Sequence, residues 1–201
     1  MRTLALRSLV FAFSLPGLAQ AHEANGANGF LPGLVHPILG VDHLLAMLSV
    51  GLLSAQLGGM AMWSVPAIFV GCMLAGGLAG LRHVGLQPIE LGIAFSVIAL
   101  GLAVAAERKV SIRCSILGVG AFGFFHGQAH GEEIPAMLDP FVYVLGFVFG
   151  TAAIHLAGVG IGYTLTRKVV GAPLLRLAGS GIACCGAFFV VRALNASASL
   201  R

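Results

Sequence analysis

FVYVLGFVFGTAAIHLAGVGIGYTLT, residues 141–166, runs for 26 positions without an Asp, Glu, Lys or Arg. A helix of that length rises about 39 Å, more than the ~30 Å hydrocarbon core of a bilayer. Working outward, further apolar stretches of span length lie at about 34–55, 64–81, 89–106, 114–131 and 173–194. The six account for nearly all of the chain after its first 33 residues, leaving loops of a few residues. Composition agrees: 58% of residues are hydrophobic and 9% charged, with a mean hydropathy of +0.99, against roughly 25% charged in a soluble domain. The fold class read from this pattern is an all-α integral membrane protein, a six-helix transmembrane bundle. A soluble enzyme and a disordered chain are excluded. No Walker motif is present and no room remains for a soluble domain, so a nucleotide-driven motor would have to be a partner's.

Residues 1–21 read as a cleaved signal peptide. Arg2 and Arg7 form a basic start, Leu9 to Leu15 an apolar core, and Ala19-Gln20-Ala21 an A-x-A cleavage site. The competing reading is an uncleaved first helix, for which the apolar run is short. Residues 22–201 are then the membrane domain, with His22 at an outward-facing mature N-terminus. Six spans place Arg108, Lys109, Arg113, Arg167, Lys168 and Arg176 inside. They leave Arg82, Arg192 and Arg201 outside, with Glu132, Glu133 and Asp139. That asymmetry follows the positive-inside rule, so the pI near 9.2 reports membrane orientation and not nucleic-acid binding.

Glycines recur four apart at Gly76 and Gly80, at Gly123, Gly127 and Gly131, at Gly146 and Gly150, and at Gly158 and Gly162. Such spacing lets helices approach closely in lipid, and the triple series suggests that the fourth span is central. The halves 34–107 and 112–194 each hold three spans and open on a histidine-bearing helix. Three being odd, they would have opposite topology, as in 3+3 inverted-repeat transporters, although no internal sequence identity accompanies the pattern. Cys72, Cys114, Cys184 and Cys185 show no C-x-x-C spacing and read as apolar packing residues without a structural disulfide.

Ionisable residues inside spans are costly and mark function by default. Two groups stand out: His36, Asp42 and His43 on the first span, and His126, His130, Glu132 and Glu133 at the outer end of the fourth. At about 100° per residue, His126, His130 and Glu133 share a helix face, while Glu132 points away from it. Two histidines one turn apart can hold one divalent ion. The absence of H-E-x-x-H removes the metalloprotease reading. His36 and His43 would lie about 10.5 Å apart on a regular helix. Either they are successive stations on a path, or Pro37 and Gly40 distort the helix. Asp42 could orient a histidine or bind the ion itself.

The other candidates are Glu90 at the start of the third span, His155 in the fifth, His83 in an outer loop and His22. Glu90 equally fits a carboxylate placed by the helix dipole, and His155 equally fits a buried hydrogen-bonding residue. His83 reads as solvated. His22, if cleavage exposes it, could chelate through its imidazole and α-amine. Imidazole with carboxylate and no thiolate suits Ni²⁺, Co²⁺ or Zn²⁺ and argues against Cu(I), Mg²⁺ and Ca²⁺.

The two motifs H-x5-D-H (His36, Asp42, His43) and F-H-G-x-A-H-G-x-E (Phe125, His126, Gly127, Ala129, His130, Gly131, Glu133) resemble those of the HupE/UreJ family of bacterial nickel and cobalt permeases. The resemblance covers most of the mature chain. It implies a multi-pass protein of the cytoplasmic membrane with its N-terminus in the periplasm. It also implies Ni²⁺ or Co²⁺ as transported substrate with no permanently bound cofactor, and a link to hydrogenase or urease metal supply. On that expectation Glu132, Glu133 and Asp139 attract the ion, and His126, His130 and Glu133 strip part of its hydration. Asp42 and His43 then receive it with His36 above them. Uptake should weaken as pH falls through the histidine range, because ligands bind deprotonated. The rival readings are a membrane metal-binding subunit or sensor that does not transport, and a bis-histidine haem protein.

Overall fold

Gly40 divides the first span into two helices. Pro37 cannot donate to the helical ladder, and Gly40 takes an extended conformation with φ −88° and ψ 112°. Helix α1 (Phe30–Leu39) and helix α2 (Val41–Leu57) consequently differ in direction by 86°. Of the two sequence alternatives for His36 and His43, the distorted helix is the one observed. Five helices follow: α3 (Ala61–Leu81), α4 (Ile89–Ala105), α5 (Ile112–Glu132), α6 (Pro140–Thr166) and α7 (Gly171–Ser199). This computed structural model describes residues 29–199 apart from 83, 85–87, 108–109 and 135–137. The expected signal peptide, His22 and His83 lie outside the described residues. No strand occurs among the described residues. By length and composition, α3, α6 and α7 can each cross a membrane, as can the α1–α2 pair taken as one broken span.

Three close pairings build the bundle, and glycine makes each of them. In the α3–α5 pair, a Cβ on Gly123 would meet the backbone of Phe69, one on Gly127 that of Met73, and one on Gly131 that of Gly77. The numbers rise together, so α3 and α5 run parallel. In the α2–α6 pair, Gly51 lies on the backbone of His155 and Gly158, and Gly162 on Leu52; these helices are parallel too. The α4–α7 pair is antiparallel, with Gly101 against Gly179 and Gly186 against Val97 and Ile98. Exchanging the two halves of the chain maps the α2–α6 pair onto α5–α3 and the α4–α7 pair onto itself. The lesser contacts do not follow this exchange: α2 touches α4, while α5 and α7 make no comparable contact.

The central helix is α2, not α5. It packs against α1, α3, α4, α5, α6 and α7, and 10 of its 17 residues are buried. The glycines of α5 are committed to one intimate pairing with α3, which makes that contact close without making the helix central. Met47, Val50 and Leu53 of α2 form the core with Val65, Phe69 and Met73 of α3 and Val97, Leu100 and Val104 of α4. Leu74, Leu78, Phe149, Leu177 and Val191 are exposed outward, as a lipid-facing surface requires. All four cysteines are free thiols.

Candidate metal-binding site

The break at Gly40 is what lets one span present two histidines to a single partner. Helix α1 lies along the first half of α6, with Gly33 on the backbone of Tyr143, and Gly146 and Gly150 on those of Phe30 and Leu34. Its His36 thereby reaches α5 from one side. Helix α2 begins beyond the break and brings His43 from another. The His36 and His130 ring centroids are 4.8 Å apart, and those of His43 and His130 are 4.4 Å apart. His130 is the hub of the cluster, 6% exposed.

Glu133 closes the outer end. It is the residue that terminates α5, its backbone N–H still bonded to Ala129 and His130. Its Oε2 stands 3.6 Å from His36 Nε2 and 3.8 Å from His130 Nδ1. One donor atom from each of His36, His130 and Glu133 falls within 4.8 Å of the others, two of nitrogen and one of oxygen. The three-residue face expected from helical periodicity was His126, His130 and Glu133. His36 takes the place of His126 in that group, because one helical turn separates His126 from His130 by about 6 Å of rise while the broken first span comes alongside.

His126 belongs to a deeper layer. Its ring lies 4.9 Å from that of His43 and 5.5 Å from that of Phe69, and it is fully buried. His126 Nδ1–H donates to the Phe122 carbonyl at 2.8 Å, which leaves the Nε2 lone pair free. Asp42 does the same for His43: its Oδ1 accepts from the His43 ring Nδ1–H and backbone N–H, each at 2.8 Å. A carboxylate behind an imidazole fixes the tautomer and raises the basicity of the other nitrogen. His43 Nε2, His126 Nε2 and both nitrogens of His130 are buried with no hydrogen-bond partner. Unpaired buried groups of this kind cost about 1–3 kcal/mol each, and their concentration in one cluster gives it the nitrogen donors that a metal ion would take.

The remaining candidates separate by position. Glu90 and Glu132 stand apart from the histidines, in a cavity of about 560 Å³ that Asp42 and Arg192 also line. Glu132 Oε1 there accepts from the Gln128 amide at 3.2 Å. Asp42 thus sits between that acidic cavity and the imidazole cluster. Asp139 caps α6 by accepting from the Phe141 and Val142 N–H groups, a structural task. His155 lies beyond Phe69, whose ring centroid is 5.0 Å from its own. The aromatic neighbours of the cluster are Phe69, Phe147 and Tyr143; Phe147 is 4.3 Å from His130 and Tyr143 is 5.8 Å from His36. Sequence reading missed all three, since an aromatic residue in an apolar run carries no local signal of what it will touch. A second cavity of about 330 Å³, almost wholly apolar, opens between α3, α5 and α6 with His130 in its wall.

A sequence model of the HupE / UreJ protein family matches residues 10–189. The chain belongs to the HupE/UreJ family. Among curated relatives, HupE of Rhizobium leguminosarum bv. viciae is 39% identical over 191 residues, covering 95% of this chain and 100% of the relative. No solved structure matches the chain. In this HupE/UreJ protein both motifs that carried the sequence resemblance meet at His130, and the family's match spans every described helix except the last residues of α7. Membership places the protein among multi-pass membrane proteins of transport type.

Proposed function

We propose that this chain is a permease that carries Ni²⁺, or Co²⁺, inward across the cytoplasmic membrane. The observation that carries the reading is the convergence of His36, His130 and Glu133 donor atoms within 4.8 Å of one another, backed by unpaired nitrogens on His43 and His126. The ion gives up water to the outer three ligands, then passes to His43 and His126. Three mixed ligands at the mouth bind without enclosing, which favours release. Six alternating spans, α1–α2 counted as one, are supported by the pairings: spans two and four run parallel, one and five parallel, three and six antiparallel. A cleaved signal peptide and the excess of basic residues at the other face set the N-terminus in the periplasm.

No motor is required. A doubly charged ion moving down 100 mV gains about 4.6 kcal/mol, enough for more than about three decades of accumulation at 1.36 kcal/mol per decade. Contact between the imidazoles, at centroid separations of 4.4–4.9 Å, leaves no slot for a porphyrin plane among them, so the site favours an ion over haem. The deciding experiment is Ni²⁺ influx into proteoliposomes with an inside-negative potential imposed or collapsed, wild type against His130→Ala. Influx that rises with potential and disappears in the variant supports a permease. Binding without influx, even with the potential imposed, replaces it with a sensor or a subunit that awaits a motor.

A further inference from the structure

His155 is the histidine that the outer cluster leaves unused. It lies near the middle of α6, 1% exposed. A neutral imidazole offers one donor and one acceptor, and neither ring nitrogen has a partner. The ordinary explanation for a lone buried histidine, a hydrogen bond to a neighbouring helix, is therefore not what is observed. Its ring instead meets Phe69 edge to face, at 5.0 Å and 88°. Phe69 is itself fully buried and lies 5.5 Å from His126. The rings form one continuous series from the mouth inward: His36, His130, His43, His126, Phe69, His155. Only Phe69 in that series cannot bind a metal ion.

A second orphan lies further along the same direction. Gln56, 1% exposed, donates its amide N–H to the Val104 carbonyl at 2.9 Å and leaves Oε1 unpaired. Among the described residues, every buried side-chain nitrogen or oxygen without a partner belongs to His43, His126, His130, His155 or Gln56. Because α2 and α6 run parallel, both His155 and Gln56 are displaced from the mouth toward the opposite end of the bundle. Thr151, one turn before His155 and also buried, directs its hydroxyl at Met73 Sδ, so the neighbourhood is not purely hydrocarbon.

Resting on the permease reading, we propose that His155 is an inner binding station for the carried divalent ion, divided from the outer cluster by the ring of Phe69. The ion held by His43 and His126 would exchange onto His155 when that ring moves aside, with Gln56 Oε1 as the next oxygen on the way out. A station on each side of an apolar ring gives the ion ligands in both halves of the bundle.

The test compares wild type with His155→Ala, His155→Gln and His155→Cys in the purified full chain. Ni²⁺ binding in detergent is read by equilibrium dialysis, and Ni²⁺ and Cd²⁺ influx in proteoliposomes. The expected result is Ni²⁺ binding retained at the outer cluster and Ni²⁺ influx reduced at least about tenfold in the Ala and Gln variants. The Cys variant should shift preference toward Cd²⁺, because thiolate suits a softer ion; a merely structural histidine would not alter ion preference. If the Ala variant does not fold, the Gln variant, which keeps volume and polarity, decides. Wild-type influx in either of those variants, or an unchanged ion preference in the Cys variant, overturns the inner station and leaves the permease standing. Failure of the wild type itself to move Ni²⁺ overturns the permease reading, and the inner station with it.

Discussion

Asp42 decides which nitrogen of His43 faces the histidine cluster. Its Oδ1 accepts both the ring Nδ1–H and the backbone N–H, so the Nε2 lone pair is turned into the cluster, 4.4 Å ring to ring from His130. Asn at this position keeps an oxygen that can accept but loses the charge that makes the imidazole a better ligand. Asp42→Asn should therefore lower the initial rate of Ni²⁺ influx by about 10–100-fold while leaving the folded protein intact, the range found when such supporting carboxylates are altered. Proteoliposome uptake measures the rate and gel filtration checks the fold; influx at the wild-type rate would remove Asp42 from the ligand chain. Gly40 acts on the same pair. A Cβ there would stand 3.0 Å from His43 Nδ1 and 3.1 Å from Asp42 Oδ1. Gly40→Ala should thus depress influx more than it depresses the melting temperature, and a thermal melt alongside the uptake assay separates the two.

At the scale of elements, glycine spacing determines which helices touch and how closely. Gly127→Ala would drive a methyl group into the Met73 carbonyl and force α3 from α5, at a cost of about 1–3 kcal/mol. Gly71 in α3 has nothing within 4 Å of its would-be Cβ. Gly71→Ala should be neutral, or stabilising by up to about 1 kcal/mol through helix propensity. Melting temperatures in one detergent compare the pair, and equal effects would sink the packing argument. Much at this scale was legible in the sequence. The helix limits follow the apolar runs to within a few residues, and the four-residue glycine spacing announces close contact. Which helix each glycine would meet was not legible, because spacing marks a face and not its partner, and so α5 looked central when α2 is. The site divides along the same line. The motifs contained His36, His43, His130 and Glu133, since ionisable groups stand out in an apolar chain. That His36 would displace His126 beside Glu133 depends on an 86° bend, which Pro37 and Gly40 permit without fixing its direction.

For the whole molecule, pairing direction and charge asymmetry make one joint claim that can be tested without any metal. If the chain crosses six times from a periplasmic N-terminus, the segment between α3 and α4 faces out and the segment between α6 and α7 faces in. Val84 and Val169 are exposed residues in those two segments, 66% and 98% accessible. In a background with Cys72, Cys114, Cys184 and Cys185 replaced, Val84→Cys should react with a membrane-impermeant maleimide added to intact cells or spheroplasts. Val169→Cys should react only after the membrane is opened. The parallel α3–α5 and α2–α6 pairs and the antiparallel α4–α7 pair all require this alternation; labelling of both positions from one side would break it. The same topology fixes the sign of the driving force. The cluster of His36, His130 and Glu133 then stands at the outer end, and a doubly charged ion that leaves it inward moves with the inside-negative potential. Each 100 mV is worth about 4.6 kcal/mol to that ion. The gradient should therefore set the steady-state Ni²⁺ ratio across a proteoliposome, with the protein setting only the rate. Clamping the potential at several values and measuring the plateau should give a ratio that rises by roughly 3 decades per 100 mV. A plateau indifferent to potential would mean that two positive charges leave for each ion that enters, and uncoupled diffusion would give way to exchange.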